Sequence, residues 1–424
     1  MPNPAVRPDA SGLLRFLKPQ VPLQRRELGI LALFAIVALT QGWTGSAITH
    51  ALPFVREDFD LSDGEVFEVL AIVRAAALLA LPFAWWGDRH GRRLPLLVAF
   101  FLLPAFNLAT TFAPSPPGFI ALQSAARIGN IALATMAVVV LAEELSPPVR
   151  AYGLAVSALF ASLGTGLGLL LRLIGEASED AWRLLFALSS LPLLALPFLI
   201  LRLRESRGYR PAERNPPLRE VFRSGFARLF WPMAGLSMAL SAFVGPAANL
   251  ALVHMENDLG WSSGAASLLL ALTSAPGVAL GLIAGGRMAD LLGRRPTEVL
   301  AAFVGVAGGL TFYYTTLPWL MGIGIFVSMV GAFGFSPAFA SHRSELFPTA
   351  IRATAGAWLI NANIIGALLG FAAGRWVVDA WGIPLTMAGL GGVLLAATLL
   401  VVLVPETKGL EIIEASGPAA DSIG

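Results

Sequence analysis

The sequence predicts an all-α integral membrane protein with twelve transmembrane helices in two pseudo-symmetric six-helix bundles. Three observations predict it. Hydrophobic residues make up 56% of the 424 positions and charged residues 13%. A water-soluble fold of this length cannot hide that much apolar surface, whereas a bilayer takes it up directly. Apolar stretches long enough to cross ~30 Å of hydrocarbon recur along the whole chain. Finally, Asp88, Gly91, Arg92, Arg93, Glu143 and Arg150 return as Asp290, Gly293, Arg294, Arg295, Glu345 and Arg352, each 202 residues further on. Chance does not easily keep six positions in step, but a duplicated half does. Parallel repeats of this kind mark transporters, in which two similar bundles rock around a site between them.

Residues 1–27 are polar and proline-rich, lack the design of a cleavable signal, and are expected to form a cytoplasmic tail. The first six spans fall at 28–50, 64–86, 94–113, 118–142, 151–174 and 182–201. Polar or Pro/Gly punctuation separates them, as at Ser115-Pro116-Pro117-Gly118. The longest polar stretch, 202–228, carries eight arginines and reads as a solvated linker whose charges can touch anionic lipid. Six more spans follow at 229–255, 264–286, 297–316, 319–342, 353–378 and 384–404, and a tail at 405–424. The two bundles are therefore 28–201 and 229–404. Arginines and lysines crowd the alternate loops that include Arg92, Arg150, Arg294 and Arg352, while the opposite side holds only Arg56, Arg172, Arg183 and Arg375. That asymmetry puts both termini in the cytoplasm.

The chain has no cysteine, and its four histidines show no metal-ligand spacing. Disulfides, thiolate chemistry and a metal site are not expected. No nucleophile or acid pair clusters and no P-loop appears, so neither an enzyme nor an ATP-driven pump is expected, and no cofactor. The expected partners are a small-molecule solute and the bilayer, with protons as a candidate coupling ion. No nucleic acid is expected, and a monomer in the plasma membrane is.

Trp86-Gly87-Asp88-Arg89-His90-Gly91-Arg92-Arg93 resembles the loop between spans two and three of the major facilitator superfamily, and Met288-Ala289-Asp290-Leu291-Leu292-Gly293-Arg294-Arg295 is its second copy. Ser344-Glu345-Leu346-Phe347-Pro348-Thr349 with Arg352, and Pro405-Glu406-Thr407-Lys408-Gly409, resemble the sugar porter branch and its organic-solute relatives. The resemblance covers nearly the whole chain and implies secondary transport by alternating access. It also implies a cytoplasmic latch built from Asp88, Arg92, Glu143, Arg150, Asp290, Arg294, Glu345 and Arg352. Physically, a carboxylate at Asp88 or Asp290 can face a helix N-terminus, Gly91 and Gly293 permit tight turns, and the arginines can bridge to Glu143 or Glu345. The alternative is that these arginines only enforce positive-inside insertion.

Two arginines lie inside spans without counterparts at the 202 offset: Arg74 maps to Pro276 and Arg127 to Met329. At 1.5 Å per residue they lie ~21 and ~24 Å from the inner loops, near the bilayer centre, where a charge is costly and should face a wet cavity. Gln123, Arg127 and Asn130 follow i, i+4, i+7 and form one polar stripe; a buried anchor is the alternative for Arg127. An arginine at this place in span four is common in the resembled family and often pairs with an acid in span one. This chain departs there, because span one offers Gln41, Trp43, Thr44, Ser46 and Thr49 but no carboxylate. Glu68 is the candidate proton-coupling acid, provided that it faces the cavity.

Two central arginines favour an anion, since one guanidinium can hold a carboxylate by two hydrogen bonds. Asn249, Asn361 and Asn363 are further polar candidates, with Trp358 and Phe243 as stacking surfaces; each can equally be helix–helix glue. The glutamine pair typical of sugar-binding relatives is missing from 237–246, which argues against a hexose. Gly164-Thr165-Gly166-Leu167-Gly168 suits close helix packing and lacks the Gly-Pro pair of drug/proton antiporters. The expected function is thus secondary transport of a small organic solute, an organic anion such as a carboxylate. Proton-coupled multidrug efflux and a non-transporting solute sensor of the same fold are the alternatives.

Overall fold

The computed structural model describes residues 22–175, 181–206, 220–222, 224–347 and 349–408. Most of the expected linker and of both expected tails lies outside them. Among the described residues every regular element is helical. The first segment bends at Ser46, between α1 (Arg25–Gly45) and α2 (Ala47–Asp58). A 3₁₀ turn at Ala77–Ala80 joins α3 (Asp63–Ala76) to α4 (Leu81–His90). Then come α5 (Arg93–Thr110), α6 (Pro116–Glu144) and α7 (Pro147–Gly175), followed by α8 (Ala181–Ser189) and α9 (Leu196–Arg202), which form another bent segment. In the second half, α10 (Ser224–Val253) runs into a π-helical turn at His254–Asp258. It is followed by α11 (Ser263–Leu291), α12 (Arg294–Tyr314), α13 (Pro318–Leu346) and α14 (Thr349–Ala397).

Local chemistry sets several boundaries. Ser62 and Glu65 form a capping box that starts α3, and Ser262 accepts the Ala265 amide to start α11. Gly91 and Gly293 turn the chain before α5 and α12 with φ of 101° and 114°, a region open to glycine at low cost. A side chain at either glycine would also strike a carboxylate, Glu205 in the first copy and Glu406 in the second.

Among the described residues eleven helical segments are long and apolar enough to cross a bilayer. The last of them, Ala355–Leu403, takes in most of α14, which is itself 49 residues long. A straight helix of that length would reach ~74 Å, more than twice the hydrocarbon thickness. The backbone instead breaks at Gly382, where φ is 72°, inside the gap between the last two expected spans. In the stretch 164–168, Gly164 lets α7 approach α1 so closely that a Cβ would overlap the Leu39 carbonyl. Backbone proximity of this kind holds membrane helices together where water supplies no hydrophobic drive.

The apolar core comes in three clusters. One joins both halves of the chain at the end that carries Arg56, where Leu52, Val66 and Phe67 pack with Leu250, Phe371 and Val378. At the end that carries the two Gly-Arg-Arg loops the core is divided. Leu31, Phe100, Leu133 and Leu199 belong to a cluster of the first half alone. Phe230, Phe335, Leu359 and Val404 belong to one of the second half alone.

Candidate functional site

A small, partly open cavity lies among α1, α2, α3, α5 and α6. Its polar lining is Thr44, Asn107, Gln123, Arg127 and Asn130, beside Gly45, Ile48, Val73, Leu103 and Ala126. The polar stripe of α6 therefore faces one space. Its amides are held in place: Gln41 Nε2 donates to Asn130 Oδ1 at 3.0 Å, and Gln123 Nε2 donates to Asn107 Oδ1 at 3.2 Å and Thr110 Oγ1 at 2.8 Å. Gly45 leaves room for the Asn130 amide against α1, since a Cβ there would overlap it. Arg127 differs from these neighbours, because its Nε is buried with no hydrogen-bond partner among the described residues. The one charge acting on it among the described residues is Arg74, of the same sign. Arg74 reaches the seam between the halves, its guanidinium 5.8 Å from the Phe371 ring centroid on α14.

The remaining expected ligand residues are placed elsewhere. Asn249 is buried at the seam, accepting from Thr49 Oγ1 at 2.7 Å and donating to the Gly245 carbonyl. Asn361 donates to Ala357 of its own helix. Trp358 packs edge-on to Phe222, 5.2 Å between centroids, in the second-half cluster. Phe243 is fully buried. Glu68 does not line the cavity; its Oε2 lies 3.2 Å from Arg375 Nε, and half of its side chain is exposed. Proximity to a helix end, and an arginine arriving from the other half, draw it away.

At the loop end, Arg92 Nε donates to Glu143 Oε1 at 3.2 Å. Arg294 grips Glu345 through Nε and Nη2 at 3.1 and 2.9 Å. Each pair lies within one half. The carboxylate at the start of α12 is Glu406 rather than Asp290. Glu406 accepts the Arg294 and Arg295 amides at 2.8 and 2.9 Å, while Asp290 is largely exposed and meets Arg294 Nη1 at 3.3 Å. Glu205 accepts the Arg92 amide in the same way. Partial burial alone would raise the Glu406 carboxyl, but backbone donors from Arg294, Arg295 and Lys408 outweigh it and hold it below the usual carboxylate range. The side chains of Asp88, Arg150 and Arg352 lie outside the described ones. Fully buried His342 and Glu298, 2.8 Å apart, lie behind this loop, with His342 Nε2 donating to the Pro405 carbonyl.

The opposite end carries ion pairs that the sequence did not single out. Arg172, fully buried on α7, reaches across to Glu256 at 2.6 Å and donates to Ser267 Oγ at 3.2 Å. Arg56 bridges Asp63 at 2.8 Å and, across the halves, Asp258 at 3.1 Å. Asp258 is the counterpart of Arg56 at the 202 offset. Glu57 accepts from Asn257, and Asp379 accepts the Gly64 amide.

The chain is similar to known transporters in sequence and in fold. Residues 34–248 and 234–420 match the family model of the Major Facilitator Superfamily. The 4-hydroxybenzoate transporter PcaK of Pseudomonas aeruginosa is 26% identical, over 87% of this chain and 88% of that one. Inositol transporter 4 of Arabidopsis thaliana is 29% identical over 45% of this chain and 35% of its own. The inward-open xylose transporter XylE from E. coli superposes with a TM-score of 0.72 at 18% identity, covering 92% of this chain and 98% of that one. A bacterial homolog of the human lysosomal transporter Spinster, inward-facing and occupied, gives 0.67 at 16% identity over 89% and 94%. At those identities the solved structures speak for the fold. All of these proteins are transporters.

Proposed function

The chain belongs to the major facilitator superfamily, and on that premise we propose that it is a secondary transporter which moves a small organic anion, a carboxylate foremost, by alternating access. The observation that carries the reading is Arg127: a guanidinium on a cavity wall, with a buried Nε that none of the described residues satisfies. A buried donor without a partner is costly, and a carboxylate supplies the missing acceptors in a planar fork. Arg74 is the second anion contact, and Gln41, Gln123 and Asn130 orient the ligand. The solute in PcaK's name also bears a carboxylate, which supports the class.

The membrane arrangement follows the same reading. Residues 349–403 cross twice, separated by the break at Gly382, which gives twelve spans in bundles 28–201 and 229–404. The excess of arginines puts the loop end and both termini in the cytoplasm, with the protein in the plasma membrane. The Arg92–Glu143 and Arg294–Glu345 pairs are ready to join the halves when that end closes.

Binding to purified protein tests the site, with 4-hydroxybenzoate as probe. Arg127→Lys keeps the charge but loses the fork, and should weaken binding. Arg127→Gln should weaken it further, by about ten- to a hundredfold, as expected for hydrogen bonds to a charged group. If Arg127→Gln and Arg74→Gln both fold and both bind at wild-type affinity, the anion site is wrong and a neutral solute becomes the better reading.

A further inference from the structure

We propose that the transporter is an anion exchanger: the empty carrier scarcely returns, and a second anion must occupy the site for the return stroke. This rests on the anion site proposed above. The described lining of the cavity contains Arg127 and no aspartate, glutamate or histidine. The charge that acts on Arg127 is another arginine. Acids at the sealed end are already engaged with other arginines: Glu68 with Arg375, Glu256 with Arg172, and Asp258 with Arg56.

Changing from one open end to the other requires an intermediate in which both ends are shut and the cavity loses water. A charge in such a place needs a partner, because unmet desolvation is costly for each ion. Here two like charges would be shut in together. A bound carboxylate removes the repulsion and fills the hydrogen-bond gap at Nε, so the loaded carrier crosses easily. Among the described residues, no acid lines the cavity that could swing onto Arg127 in the ligand's place, and no group on that described wall could bring a proton across with the anion. Every ~1.4 kcal/mol of uncompensated charge slows the empty stroke about tenfold. Any small anion that satisfies Arg127 can serve as the return ligand, so the exchange partners are two carboxylates or a carboxylate and inorganic phosphate.

The test uses the full chain in proteoliposomes with the membrane potential clamped by potassium and valinomycin, and radiolabelled 4-hydroxybenzoate outside. The lumen holds unlabelled 4-hydroxybenzoate, inorganic phosphate, or a zwitterionic buffer alone. Initial uptake should be at least about tenfold faster into vesicles loaded with 4-hydroxybenzoate than into those with buffer alone, the ratio that one unmet increment of that size produces. Arg74→Gln, with one charge fewer to shut in, should narrow the ratio. Equal uptake into both kinds of vesicle, while Arg127→Gln still weakens binding, overturns exchange and leaves the anion site standing. Uptake into buffer-only vesicles that an imposed proton gradient raises to the loaded rate overturns it in favour of proton symport. Absence of probe binding to the wild type removes the exchange proposal and the anion site together.

Discussion

At the Arg56 end three arginines reach from one half of the chain to the other, Arg56 to Asp258, Arg172 to Glu256 and Arg375 to Glu68. Beneath them the halves share one apolar cluster. At the loop end the corresponding pairs, Arg92–Glu143 and Arg294–Glu345, stay within a half, and each half keeps its own cluster. The same chemistry thus joins the halves at one end and works within each half at the other. Alternating access needs such an asymmetry, since a carrier tied equally at both ends could open neither.

Breaking the seal should have the largest effect. Removing one partner of a buried pair leaves an uncompensated charge and costs about 3–5 kcal/mol. Glu256→Gln should therefore open the Arg56 end. A cysteine placed at Leu250, buried in the shared cluster, should then react with a thiol reagent at least about a hundredfold faster. The chain has no native cysteine to confuse the signal. Exchanging the charges, Arg172→Glu with Glu256→Arg, should restore protection. Unchanged reactivity of the cysteine in Glu256→Gln would show that Arg172 is not part of the closure.

The loop end should respond less. Glu143→Gln and Glu345→Gln alter a balance between states rather than the binding site, with ~1–3 kcal/mol enough to change populations five- to hundredfold. Transport rates should fall while probe affinity stays within a few-fold. Equal losses of binding and transport would place these glutamates in the site instead. The Thr49–Asn249 hydrogen bond at the seam is weaker still; Thr49→Val should raise reactivity at Leu250 by less than about tenfold, in line with ~1 kcal/mol for a neutral bond.

The smallest expected effect is a pH dependence at Glu406. Its carboxyl is held below its ordinary 4.5. Its contribution is therefore complete above the unfolded value and is lost as pH falls through the folded one. Amide exchange at Arg294 and Arg295, whose N–H groups Glu406 accepts, should be protected by this contact at pH 7. That protection should weaken below about pH 4.5. Protection at Arg294 that is identical in Glu406→Gln at pH 7 would deny the carboxylate this role.

Much of this was legible in the sequence because the bilayer and the duplication both leave periodic marks. Apolar length gives the spans, and Gly382 falls where the last two were expected to part. The partners Arg92 and Glu143 could be found because both recur at one offset in Arg294 and Glu345. The equivalence of Glu205 and Glu406 escaped because they stand 201 residues apart, one residue out of step. Arg172 and Glu256 escaped for a deeper reason: this pair joins different positions of the two halves, so no repeat reveals it. That Gln123, Arg127 and Asn130 share one face of α6 was readable from their helical spacing. Asn249, Asn361 and Trp358 were not placeable, because spacing within one helix does not say which neighbour its polar face meets.

The most direct test of the account is a pair of distances across the two ends, measured by double electron–electron resonance. Spin labels at Ser115 and Leu317 report the Arg56 end, and labels at Leu94 and Leu292 report the loop end. Glu256→Gln should lengthen the first distance and shorten the second relative to the wild type. If both distances stay unchanged, or lengthen together, the two ends are not alternately closed and the account is contradicted.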